Sequence, residues 1–70
     1  MKVAQVIPID GYAESTESFG DAIGKANDEL TPKLEENGAK EFISHSVALA
    51  TREVNGSIIY VCYTTAIIEA

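Results

Sequence analysis

Seventy residues, 46% of them hydrophobic and 23% charged, describe one globular domain close to the lower size at which a single core suffices without disulfides, metal or a second copy. The net charge of −6, with five basic residues widely scattered, argues against a phosphate-neutralising nucleic-acid surface. A lone cysteine, Cys62, excludes a disulfide framework and any Cys-pair zinc motif, and no uninterrupted apolar run of about 18 residues offers a membrane span.

Lys2 to Ile9 is rich in Val and Ile and meets Pro8 and then Asp10-Gly11, so the spacing predicts a first strand that stops there. Asp10 to Glu17 reads as a polar loop. Ser18-Phe19-Gly20-Asp21 matches a helix start, the Ser18 hydroxyl accepting from an orphan amide while the acid favours the positive helix end. Phe19, Ile23, Ala26, Leu30 and Leu34 then recur as one apolar stripe. Pro32 removes a backbone bond and predicts a kinked or two-part helix, ending near Asn37-Gly38, where glycine supplies the left-handed cap.

Phe42 to Val54 and Ser57 to Ile68 are long, nearly charge-free runs joined by Asn55-Gly56, the pair that best tolerates the positive φ of a type I′ hairpin turn. A two-residue turn pairs Leu49 with Cys62, Val47 with Thr64, His45 with Ala66 and Ile43 with Ile68. One hairpin face then carries His45, Val47, Leu49, Tyr60, Cys62 and Thr64. The other carries Phe42, Ile59, Val61, Tyr63, Thr65 and Ile67. A single helix stripe can cover one face, which leaves the other for a second copy or a protein partner. The expected fold is α+β, βαββ, with a three-stranded antiparallel sheet of order 1-3-2 and one kinked helix on one face. The last strand is the most apolar because it is central.

Eight acids between Asp10 and Glu36 face only Lys25 and Lys33, so the middle of the chain carries the whole net charge. We read it as a solvated acidic helix face, with attraction of a basic partner as the sharper alternative. Gly20-Asp21-Ala22-Ile23-Gly24-Lys25-Ala26 is not a phosphate loop: it has three residues between the glycines where four are needed, and it lies inside the helix. Gly20 and Gly24 instead suit the close approach of another helix. His45 and Cys62 share a face but stand about 13 Å apart along the strands, too far for a nucleophilic dyad. Tyr60 and Tyr63 are candidates for stacking a flat ligand at an oligomer interface. No catalytic residue, metal site or cofactor is expected.

Met1-Lys2-Val3, the acidic helix and the ending Ile59-Tyr60-Val61-Cys62-Tyr63-Thr64-Thr65-Ala66-Ile67-Ile68 resemble a family of small sporulation-associated and phage-encoded proteins of Gram-positive bacteria. That resemblance implies the βαββ order and brings no established activity. Glu17-Ser18-Phe19 followed by Ala22-Ile23 is similar to the helix start of the dodecins, flavin-storing dodecamers of the same element order. This chain has no tryptophan, on which flavin-binding dodecins stack the ring, so the similarity extends to assembly and not to flavin. The expectation is a cytoplasmic, homo-oligomeric accessory or regulatory interaction protein and not an enzyme, assembling through the exposed hairpin face. The alternatives are a small-molecule-sequestering oligomer and a phage-encoded acidic inhibitor of a host protein.

Overall fold

The computed structural model describes residues 5–70. Strand β1 spans Val6–Ser15, helix α1 Phe19–Glu36, strand β2 Glu41–Val54 and strand β3 Ser57–Glu69. The sheet is antiparallel throughout, in the order β1-β3-β2, with the helix between the first and second strands in sequence. This is the βαββ α+β fold.

The hairpin forms as its turn chemistry dictates. Asn55 and Gly56 have φ of 50° and 80°, the two positive values of a type I′ turn. From Val54 opposite Ser57 the ladder runs without a shift to Ser44 opposite Ile67 and includes Leu49–Cys62, Val47–Thr64 and His45–Ala66. Beyond Ser44 a bulge intervenes, and Phe42, not Ile43, stands opposite Ile68. The extra residue exchanges the faces. Phe42 therefore leaves the face of Tyr63 and lies with its ring centroid 6.1 Å from that of His45.

The first strand is longer than its sequence suggests. β1 continues through Pro8, Asp10 and Gly11 to Ser15, so the stretch read as a loop is strand; Lys2 to Ala4 fall outside the described residues. An edge strand tolerates Pro where the missing N–H would point away from the sheet. Gly11 has a different reason: a Cβ there would stand 2.3 Å from the carbonyl oxygen of Ala26, so only glycine lets the helix backbone come this close.

Helix α1 starts as expected, the Ser18 hydroxyl accepting from the Asp21 amide at 3.1 Å. It is one helix running through Pro32, not two, because that turn is exposed and water can serve the carbonyl the proline leaves free. Gly38, with φ of 63°, closes the end, where Ala39 N–H donates to the Leu34 carbonyl at 3.0 Å.

The apolar stripe packs on the sheet in two small clusters. Leu30 meets Ile9, Ala66 and Ile68, flanked by Ile7, Leu34 and Ala39. Ala22 and Ala26 meet Cys62, flanked by Ala13, Ile23 and Tyr60. All of the sheet residues among these belong to β1 and β3, and Ala39 lies in the connection between α1 and β2. The helix thus lies over two strands of three. The radius of gyration is 14.5 Å, against about 11 Å for a compact chain of this length.

Candidate functional site

The strand left uncovered is β2. Every one of its residues is exposed, on both faces, although it carries Phe42, Ile43, Val47, Leu49 and Val54. Burying a Val, Leu, Ile or Phe side chain is worth about 1.5–3 kcal/mol, so this strand alone leaves several kcal/mol of apolar contact unmade. The sequence reading assumed that a helix covers the whole of one hairpin face. Val47 and Leu49 lie on the helix side of the sheet and are still 44% and 47% exposed.

The face away from the helix carries Ile59, Val61, Tyr63, Thr65 and Ile67, as their pairing predicts. Tyr63 and Ile67 are exposed, and Ile59, Val61 and Thr65 are half-buried. On this face Tyr63 of β3 stands directly opposite Tyr12 of β1. The Tyr63 hydroxyl donates to Asp10 Oδ2 at 2.8 Å, while Lys33 Nζ donates to Asp10 Oδ1 at 3.0 Å. The Tyr12 hydroxyl donates to Glu14 Oε1 at 2.8 Å, and Arg52 Nη2 reaches the same oxygen at 2.7 Å. Two tyrosines are thereby held by two carboxylates, each tied to a cation. The hydrogen bond to the Asp10 carboxylate pushes the Tyr63 phenol above its ordinary value, and the one to Glu14 does the same for Tyr12. The Lys33 ammonium, seconded by the Tyr63 hydroxyl, holds Asp10 below the usual carboxylate range. Pro8, Ile9, Asp10, Tyr63 and Thr65 line a shallow depression of about 250 Å3 beside this row.

Tyr60 and Tyr63 point to opposite faces, so one stacking site cannot use both. Tyr60 is half-buried on the helix side, its ring edge-on to Phe19 with centroids 4.9 Å apart. Gly20 and Gly24 are exposed; a Cβ at Gly24 would meet nothing, and one at Gly20 only the Ser18 hydroxyl at 3.8 Å. Within the protomer they have no packing role.

His45 and Cys62 do not meet. Cys62 is fully buried beneath Ala22 and Ala26, and burial pushes its thiol above the ordinary value. His45 Nε2 lies 2.7 Å from the buried Thr64 hydroxyl, which stands 3.3 Å from the Ser46 carbonyl. The acidic segment also divides: Asp10 and Glu14 lie on the open sheet face, opposite Thr65 and Val61. Asp21 serves the helix start, accepting from the Ser15 hydroxyl at 2.6 Å and pairing with Lys25 at 2.9 Å. Glu29 accepts the Tyr12 backbone N–H at 3.0 Å. Sequence reasoning took these acids as solvated charge and missed that two of them, Asp21 and Glu29, tie β1 to the helix.

Among the described residues no group of three His, Cys, Asp or Glu could hold a metal ion, and no helix is long and apolar enough to cross a membrane. The fold and its surface define a small βαββ protein with one strand unburied on both sides. Comparison with protein-family models, with curated protein sequences and with solved structures finds no match to this chain.

Proposed function

We propose that this chain is a self-associating interaction protein of accessory or regulatory kind, working in a reducing compartment, whose biochemical activity is binding and not catalysis. The observation that carries this reading is β2: fourteen residues, all exposed, with five large apolar side chains and no helix over either face. A surface of that kind is the mark of an interaction site, and a core that holds, among the described residues, seven buried apolar side chains, three of them alanine, has little strength to spare for leaving it in water. The reduced, buried Cys62 suits the compartment.

Light scattering or native mass spectrometry on the full chain at micromolar concentration tests it. The expected result is a dimer or larger species. Leu49→Glu, at an exposed site outside both core clusters, is expected to yield a folded monomer. A wild-type chain that stays monomeric under these conditions sinks the reading.

A second reading, a small-molecule carrier, draws on the anchored Tyr12–Tyr63 pair and the depression beside it. At about 250 Å3 and open to solvent, that depression falls below the roughly 300–1,000 Å3 of ordinary ligand pockets, which places this reading second. A mass-detectable compound that copurifies from the native host and is lost with Tyr63→Ala would reverse the order.

A further inference from the structure

The two edges of the sheet are finished differently. Along an antiparallel strand the N–H and C=O of one residue point the same way, and successive residues alternate between the two sides. In β1 the Tyr12 N–H goes to Glu29 and the Asp10 C=O to Lys33, both on the helix, so the even-numbered residues of β1 point outward. Pro8 belongs to this set and has no N–H to offer. The outer edge of β1 is thus closed by proline at one position and by helix side chains at the next two.

The same alternation locates the free groups of β2. Ile9, Gly11 and Ala13 turn inward to their partners Ala66, Thr64 and Cys62. The intervening β3 residues Val61, Tyr63 and Thr65 therefore turn to Ala50, Ala48 and Ser46 of β2. The Thr64 hydroxyl reaching the Ser46 carbonyl agrees with a group that faces β3. His45, Val47, Leu49, Thr51 and Glu53 are left with N–H and C=O pointing away from the sheet. Among the described residues no side chain caps them. Nor does the strand carry the usual protection of an edge: between Phe42 and Thr51 it has no Pro, Lys, Arg, Asp or Glu, and its bulge lies at one end.

We propose that β2 pairs antiparallel with β2 of a second copy about a two-fold axis at Ala48, joining two three-stranded sheets into one of six strands. The proposal rests on the self-association reading and gives it a geometry. A chain with one open edge and one closed edge cannot propagate head to tail, so the contact joins like to like and ends at two copies. Centring on Ala48 pairs His45 with Thr51 and Val47 with Leu49, which engages four of the five outward residues of each copy. Centring on Val47 would use fewer and would set Glu41 against Glu53, two like charges face to face. With the Ala48 register Arg52 falls opposite Ser44, and Val47 and Leu49 of both copies form an apolar patch on the helix side. The area agrees: 4801 Å2 is accessible, against about 4250 Å2 for a compact monomer of this mass, an excess of roughly 550 Å2 per copy. Two copies then have about 1,100 Å2 to bury, near the lower end of specific interfaces.

Mild oxidation of the full-length Ala48→Cys variant is the test. Ala48 would face its mate as a non-hydrogen-bonded pair, about 4.5 Å between Cα atoms and within disulfide range. Cys62, buried on the other face, cannot interfere. Loss of the monomer band to a disulfide-linked dimer is expected for Ala48→Cys. Ser46→Cys and Ala50→Cys are each expected to stay unlinked alone and to link when mixed. A wild-type dimer that fails to link through position 48, or links equally through 46 alone, overturns this register while leaving self-association intact. A wild-type monomer, including one that pairs only with a foreign protein, overturns both.

Discussion

Gly11 and Ala26 stand so close that a single added carbon would collide: a Cβ at Gly11 would lie 2.3 Å from the Ala26 carbonyl oxygen and 3.3 Å from the Glu29 side chain. The contact lets α1 settle low enough over β1 for Glu29 to accept the Tyr12 amide and Lys33 to reach Asp10. Helix docking and closure of the β1 edge are one arrangement.

Gly11→Ala should therefore lift the helix from the strand. Overpacking of this kind costs about 1–3 kcal/mol, and for a domain this small each kcal/mol lowers Tm by roughly 4–8 °C. Thermal unfolding followed by circular dichroism, at matched protein concentration, measures it. A variant as stable as the wild type would mean the helix does not approach this closely.

Acid should destabilise the fold through Asp10 and Asp21. The Lys33 ammonium chiefly holds Asp10, and the Ser15 hydroxyl chiefly holds Asp21, below the ordinary value of 3.8. A carboxyl with a depressed folded pKa contributes stability that is present above its unfolded pKa and is lost as pH falls through the folded one. Urea midpoints should be level near neutrality and decline from about pH 4 downward. The double variant Asp10→Asn, Asp21→Asn should decline less steeply. At the alkaline end the signs reverse: Tyr12 and Tyr63 are raised above 10.0, so their contribution persists below that pH and fades as pH climbs through the folded values. Phenolate absorbance should show the late titration, and Asp10→Asn should bring Tyr63 back toward its ordinary value.

Cys62 should be inert until the fold opens. Its side chain is fully buried under Ala22 and Ala26, and burial disfavours the reactive thiolate. An aromatic disulfide reagent should label the native protein slowly near neutral pH and label it at once in denaturant. Rapid labelling of the folded chain would place the helix elsewhere.

Much of the architecture was legible in the residues. Asn55-Gly56 announced its turn, the two-residue loop set the pairs from Leu49–Cys62 to His45–Ala66, and Ser18 and Gly38 bounded the helix. Three points were not legible, each for a physical reason. Pro8 and Gly11 read as stops because local propensity records neither that one occupies an outward edge position nor that the other lies under a helix. The bulge near Ile43 has no local signature and carried Phe42 to the other face. The acids at Glu29 and Asp21 look like solvated charge until the chain brings Tyr12 and Ser15 beside them.

The sequence by itself determined the element order, the hairpin register from the turn as far as Ser44 and the presence of more apolar sheet than one helix can hide, because turn chemistry and alternation act between near neighbours. Only the tertiary structure decided which strand is left bare. That depends on where the helix axis falls across the sheet, and here the closeness of Gly11 to Ala26, with the Glu29 and Lys33 contacts, holds it over β1 and β3 and leaves β2 open.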